Sequence, residues 1–478
     1  MNNATEAVVV GSGPNGLAAA ITLAEAGHSV KLMEMADTVG GGLGSAELTL
    51  PGFVHDVCSA IHPFGRTSVF FSQHAEALAA AGLRWVDTPA AIGHPLDDQP
   101  AVMLRGGVDD TAATLGDDRD AYRSLLNPLV SHWDELLPHM LAPFHIPWGP
   151  ITGLRMARFG LQAITSAKGA AKRFEGVRAR ALFAGAAAHS ILPLSERFSA
   201  AAGIVMLASA HADGWPFPET GSSLLSTALV SVLESNGGEI RTGVRVERMA
   251  DLPAHKAALF DVSPGALAEI ATNRLHGRYR RALKQFRHGP GVFKVDLAID
   301  GAIPWKDAAL LEAGTVHLGG TFEEIARSEA QVASGRAPDS PFVLLVQQSL
   351  FDRTRAPEGK NVVWAYCHVP NSSTADMSEP ILTQIERFAP GFRDTILATH
   401  VSTPAQLEAY NPNYVGGDIA GGRFDLRQLF IRPARPWDPY STPDPGIFIC
   451  SASTPPGAGV HGMSGYHAAK SVLRRLRG

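Results

Sequence analysis

The chain has 478 residues, with 41 Lys and Arg against 46 Asp and Glu, and its formal net charge of -5 at pH 7 gives no electrostatic reason to expect a nucleic-acid partner. Its length asks for two or three domains, and no apolar run approaches the roughly 20 residues of a membrane span. Cys58, Cys367 and Cys450 stand far apart with no CxxC pair, and the chain has neither HExxH nor Gly-x-Ser-x-Gly, so a local dithiol, a metal site and a serine elbow are not expected. The first residues lack the basic start of a secretion signal, and the expected location is cytoplasmic.

Residues 5–10 read as a buried strand, 15–26 as a helix closed by Gly27, and 29–33 as a second strand ending at Glu34. Strand, helix, strand implies a parallel sheet. Between the first strand and the helix, Gly11, Gly13 and Gly16 form GxGxxG with Ser12, Pro14 and Asn15. The first glycine permits a tight turn, the second lets backbone approach a pyrophosphate, and the third lets helix and strand pack closely. The pyrophosphate would sit on the positive helix end. Glu34, followed by Met35, stands about where a ribose-binding acid is expected, roughly 20 residues on. Next come Gly40, Gly41, Gly42, Leu43 and Gly44. Alone this is a loop; just after Glu34 it completes a dinucleotide cradle.

Residues 66–205 read as mostly helical and include Trp133 and Trp148. Within them, 154–180 carries Arg155, Arg158, Lys168, Lys172, Arg173, Arg178 and Arg180 against Glu175, with Leu154, Ala157, Leu161 and Ile164 at helical spacing. A basic amphipathic helix suits peripheral contact with an anionic membrane, and an ordinary solvated face fits the pattern too. Strand-like alternation returns at 237–249 and 257–262. Residues 290–440 mix strands at 292–299, 342–347 and 361–368 with a helix from an N-cap at Ser378 to a stop at Pro390 and Gly391.

The tail runs from a strand at 446–450 through Ser451, Ala452, Pro455 and Pro456 into Gly457, Gly459 and Gly462, a second GxGxxG, and then a helix rich in small residues. A second nucleotide such as NADPH is one reading. No further strand and ribose acid follow, so a second nucleotide site is not expected. Two helix starts freed of side chains suit one ligand with phosphate near one end and an electron-accepting ring at the other, and that ligand is FAD. The tail loop, with Gly459, Val460, His461, Gly462 and Met463, would then face the flavin N1/O2 edge, where reduction places negative charge.

Gly11 to Gly16, Glu34, Gly40 to Gly44, residues 214–221 (with Trp215) and 446–469 resemble the phytoene desaturase-related FAD-dependent oxidoreductases, whose fold is similar to that of amine oxidases and GDP-dissociation inhibitors. Residues 365–370 and 411–422 resemble the subgroup typified by pyridine nucleotide-disulphide oxidoreductase-domain protein 2, whose disulphide label fits a chain without CxxC poorly. The resemblance runs the full length. It implies an α/β fold: a discontinuous Rossmann-like FAD-binding domain of the amine oxidase/phytoene desaturase type (1–65, 206–289, 441–478) and an inserted α+β substrate domain (66–205, 290–440). It also implies that Val246 contacts adenine through its backbone. One departure is that 244–262 lacks the hairpin with an Asp-Gly turn usual in desaturases.

The expected activity is hydride transfer from a hydrophobic small molecule to FAD, as a dehydrogenase, desaturase or oxidase, with the electron acceptor open. A flavin-dependent isomerase with no net redox change and a lipid carrier on the same fold are the alternatives. His461, Tyr414 and Asp418 are the candidate catalytic groups. Their competing readings are packing for His461 and turn chemistry for Tyr414 and Asp418. His62 and His368 read as structural, and Trp215 as cavity wall or core.

Overall fold

The computed structural model describes residues 5–147, 149–434 and 437–476; Trp148 lies outside them. The first strand, Ala7–Val10, is the centre of a five-stranded parallel sheet in the order Ile447–Ile449, Ala257–Phe260, Ala7–Val10, Val30–Met33, Glu239–Arg241. All four residues of the central strand are buried, as a parallel sheet covered on both faces requires. These strands come from the pieces 1–65, 206–289 and 441–478. A larger sheet of seven strands runs in the order Ile396–Ser402, Gly291–Asp300, Lys360–Val369, Val343–Val346, Ala313–Leu318, Ala90–His94, Val102–Leu104. It is antiparallel except where Ala313–Leu318 meets Ala90–His94. Its strands come from 66–205 and 290–440. The fold is therefore α/β, with a discontinuous Rossmann-like unit and a second, mixed unit. One apolar core runs through both, from Leu17 and Ile21 of the opening helix to Leu344 and Val346 of the large sheet.

Several local expectations change. Ala90–His94 and Val102–Leu104 are strands inside the stretch read as helical, where partnership with Ala313–Leu318 overrides local pattern. The alternation at 237–249 yields only Glu239–Arg241. Helix Ser199–Ala212 runs across the boundary placed at 205/206. Ser378 is the first residue of helix Ser378–Phe388 rather than its cap, and its amide donates to Asp376 Oδ1 at 2.9 Å. Among the described residues no strand lies between Glu239–Arg241 and Ala257–Phe260, in keeping with the missing hairpin.

A buried ion network ties the two units together. Arg355 donates to Asp56 Oδ2 (2.8 Å), Asp352 Oδ2 (2.9 Å) and the Pro218 carbonyl (2.8 Å), and all three charged side chains are essentially inaccessible. Asp56 also accepts the Ser222 amide (2.7 Å), and Asp352 the Thr220 amide (2.7 Å). The 214–221 motif is thus pinned at its end. Gly221 has φ +139°, and a Cβ there would stand 2.5 Å from Ser45 Oγ, so only glycine fits.

Candidate functional site

The opening helix, Pro14–Glu25, starts with Gly13 as N-cap and Pro14 at its first position. Pro14 has no N–H to orphan there. Three glycine-bearing segments meet at this helix start. In the first, the Ser12 amide and hydroxyl donate to Glu34 Oε2 at 2.8 and 2.6 Å, and the Ala36 amide donates to Oε1 at 2.9 Å. Glu34 is thus fixed at the end of its strand, with Met35 half-exposed beside it. In the second, the Gly40 amide reaches Ser12 Oγ at 3.1 Å, and a Cβ on Gly41 would stand 3.1 Å from Gly13 Cα. Leu43 anchors this loop in the core. In the third, the tail helix Met463–Leu476 crosses the opening helix backbone to backbone. A Cβ on Gly465 would stand 1.8 Å from the Asn15 carbonyl oxygen, and one on Gly462 3.0 Å from Ala18 Cβ. The small residues of the tail serve this crossing.

The tail glycines belong to the same unit as the first set, because Ile447–Ile449 pairs with Ala257–Phe260 in the same sheet as Ala7–Val10. Ser451 and Ala452 follow that strand, and Ser451 Oγ lies 2.6 Å from Ser453 Oγ. Gly459 is exposed and Val460 partly so. His461 is fully buried. Its Nδ1 accepts the Met463 amide at 3.0 Å, its carbonyl accepts Ser68 Oγ at 2.8 Å, and burial pushes its pKa down to about 4. The ring is therefore neutral near pH 7 with its proton on Nε2. That N–H is buried and makes no full hydrogen bond, though the Gly457 and Ala458 backbone lies close to the ring, and Asn15 Oδ1 at the other helix start is buried without a protein partner. One part of the flavin-loop expectation changes: the Met463 amide is spent on His461, which leaves Gly462 as the amide the loop can offer.

Val246 is placed beside Glu34 by the Val244 amide donating to the Glu34 carbonyl (2.8 Å) and the Gly243 amide to the Ala36 carbonyl (2.9 Å). Its side chain packs with Val8, Met33 and Phe260.

The remaining candidates separate. Tyr414 comes to the cradle: a Cβ on Gly42 would stand 2.4 Å from its hydroxyl, and it interacts with Cys58 and Asn411. Burial pushes its phenol well above the ordinary value, so it stays protonated and able to donate. The Asp418 carboxylate accepts the amides of Gly289 (2.7 Å), Gly422 (2.8 Å) and Ala420 (2.9 Å), so it organises the turn. His62 is satisfied by Ser222 Oγ (3.1 Å) and Ser59 Oγ (3.3 Å). His368 is only half satisfied, with Nδ1 on Glu329 at 2.9 Å and Nε2 unpaired. Trp215 donates to Ser209 Oγ at 3.0 Å and touches the rings of His189 and His317.

Sequence reading missed two groups. Lys294 is buried in the strand Gly291–Asp300, bonded to Asp296 and 5.6 Å from the centroid of the Trp364 ring. A lysine at an inward position of an apolar strand was the available signal. Asp261 follows Phe260 directly, and its carboxylate reaches the first glycine loop, where Oδ2 accepts the Gly16 amide at 2.9 Å. An acid at the carboxyl end of a central parallel strand was the signal there. Among the described residues no cluster of three or more His, Cys, Asp or Glu could hold a metal.

A family model described as an NAD(P)-binding Rossmann-like domain matches residues 9–81. The mouse pyridine nucleotide-disulfide oxidoreductase domain-containing protein 2 is 26% identical over 302 residues, covering 55% of this chain and 52% of that protein. The chain thus spans about half the length of that relative. A Streptomyces griseus phytoene dehydrogenase is 25% identical over 431 residues, covering 82% of this chain and 77% of that protein. The chain is similar in sequence to phytoene desaturases. The architecture also matches cyclohexylamine oxidase from Brevibacterium oxydans, with a TM-score of 0.62 at 15% identity over 99% of this chain and 100% of that one. At that identity the likeness concerns the fold, including the discontinuous Rossmann-like unit.

Proposed function

We propose that the chain is an FAD-dependent oxidoreductase that takes hydride from a hydrophobic small molecule. The convergence of three glycine-bearing loops on one helix start, beside the buried, unpartnered Asn15 Oδ1 and the buried His461 Nε2, carries this reading. These residues fit a dinucleotide: in the Gly11–Gly16 loop Gly13 and Asn15 offer backbone amides to the pyrophosphate, those of Gly11, Ser12 and Gly16 being spent on Met33, Glu34 and Asp261; Glu34 accepts from ribose hydroxyls, and Gly462 N–H with His461 Nε2–H offers donors to the ring edge. When bound, FAD supplies the hydride acceptor. Tyr414 supplies a neutral hydroxyl next to the Gly42 loop. The sequence relationship to desaturases and the amine-oxidase-like fold support the same class.

The absorption spectrum of the purified protein tests this. Flavin bands are expected, and they should be lost in Gly13→Val, whose side chain enters the pyrophosphate approach. Full flavin content in that variant refutes the cradle; a colourless wild-type protein favours the carrier.

A specific observation favours an added membrane role. The stretch 154–180 is not one helix but Pro150–Ala163, Ala167–Ala170, a short turn Ala171–Arg173 and the start of Val177–Ala188. Arg155 and Arg180 are committed to Glu135 and Glu323, which cuts the free charge. Yet, among the described residues, seven of the twelve exposed large hydrophobics fall between Phe144 and Val177, including Ile146 (84% exposed), Leu154 (74%) and Leu161 (75%). Arg158, Lys168 and Lys172 are exposed around them. We propose that this face rests on an anionic lipid surface, from which an apolar substrate enters. No helix among the described residues is long and apolar enough to cross a membrane.

A further inference from the structure

We propose that Asp261 is a cofactor-binding residue that meets the FAD pyrophosphate as a neutral acid, so that FAD binding takes up a proton. This rests on the FAD reading above.

The position follows from the sheet. Phe260 pairs in register with Val10, and the Asp261 amide donates to the Val10 carbonyl at 2.8 Å. That sets the Asp261 side chain over the loop that follows Val10. Its Oδ2 takes the Gly16 amide at 2.9 Å, one of the helix-start donors that an anion would use. A Cβ on Gly13 would stand 2.8 Å from the same oxygen, and one on Gly16 3.2 Å. Gly13, which lets backbone approach a pyrophosphate, and Gly16 beside it therefore both open onto a carboxyl group. Asn15 Oδ1 is left buried and unpartnered on the same helical turn.

The surroundings offer no positive charge to offset a second anion. Among the described residues, Glu34 faces Asp261 from the end of Val30–Met33, and the Cys450 thiol from the end of Ile447–Ile449. Through Ala24 the opening helix and its loop bring no ionisable side chain, and Glu25 stands at the far end of the helix, paired with His74. From the 411–418 loop comes only the Asn413 amide, which donates to the Asp261 carbonyl at 3.1 Å. Burial, opposed by the Gly16 amide and reinforced by Glu34, pushes the carboxyl up to about 7. An unfolded Asp titrates near 3.9, so the folded protein holds this proton as pH rises from about 4 to about 7 and gives it up above that. A phosphodiester beside the group moves it further upward. An ionised carboxylate can only accept hydrogen bonds and repels the phosphate. The acid keeps one oxygen for Gly16 N–H and donates its O–H to a phosphate oxygen.

The experiment is FAD release from the holoprotein, read by ultrafiltration and flavin fluorescence from pH 6 to pH 9. The pyrophosphate keeps its charge throughout, so Kd should weaken about tenfold per unit above pH 7, about 100-fold by pH 9. Asp261→Asn, which keeps an acceptor for Gly16 and adds a donor, should flatten the profile and bind more tightly at pH 9. Calorimetry of rebinding in buffers of different ionisation enthalpy should count close to one proton taken up at pH 8 in the wild type, a readout that needs no variant. A wild-type Kd constant over this range, or no proton uptake, overturns the role of Asp261 while leaving FAD binding intact. Protein that holds no flavin at any pH overturns the FAD reading and the proposal with it.

Discussion

Arg355 divides its guanidinium among Asp352, three residues before it, and Asp56 and the Pro218 carbonyl, both far off in sequence, and its local stretch announces only the first. Burial by itself would raise the Asp56 carboxyl, but Arg355 and the Ser222 amide outweigh it and hold it below the usual range. Removing the cation would leave two buried carboxylates with hydrogen-bond donors but no counter-charge. Arg355→Met should therefore destabilise the protein by about 3–5 kcal/mol, read as a fall in thermal midpoint, and Arg355→Lys should recover only part because one ammonium cannot reach all three acceptors. An unchanged midpoint in Arg355→Met would contradict the network as drawn. His461 shows the opposite case. Its place in a glycine-rich tail loop was visible, but its commitment through Nδ1 to Met463 was not, and that bond decides which ring nitrogen remains to donate.

Helix Pro150–Ala163 buries only Ala163 and leaves Ile151, Leu154 and Leu161 outward. Apolar residues at helical spacing predicted a helix here, and a helix is present. The pattern could not tell which way that face would look, since an inward core face has the same spacing. If the face meets lipid, liposome sedimentation should show binding that grows with anionic lipid and weakens with salt, since each basic residue near such a surface contributes about 1 kcal/mol. Leu154→Ser with Leu161→Ser should lose most of the bound fraction. Equal binding to neutral vesicles, or no loss in the double variant, removes this surface from the list of lipid contacts. The tail helix was legible in its small residues, but their reason was not. They clear the path of one backbone across another at Asn15 and Ala18.

Across the whole molecule, both GxGxxG patterns serve one unit, because their strands share one parallel sheet. NADPH should accordingly reduce the bound flavin slowly or not at all in stopped-flow mixing, and fast, saturable reduction at micromolar nucleotide would show a second site. The sequence by itself determined the Rossmann-like unit and the cradle glycines. Strand, glycine turn, helix and acid are local, and their spacing is dictated by backbone sterics and helix-end electrostatics. It also placed Glu34 at that cradle by spacing, and singled out Tyr414 by its glycine-rich loop, while only the fold set Tyr414 beside Gly42. Only the tertiary structure decided what long-range pairing decides: that Ala90–His94 and Val102–Leu104 join the large sheet, that the Asp418 carboxylate accepts three amides, and that Lys294 is buried against Trp364. The same holds for Asp261, which meets the Gly16 amide 245 residues away only because two parallel strands set their carboxyl ends side by side. No local pattern encodes such a meeting, since it depends on which strands the sheet makes neighbours.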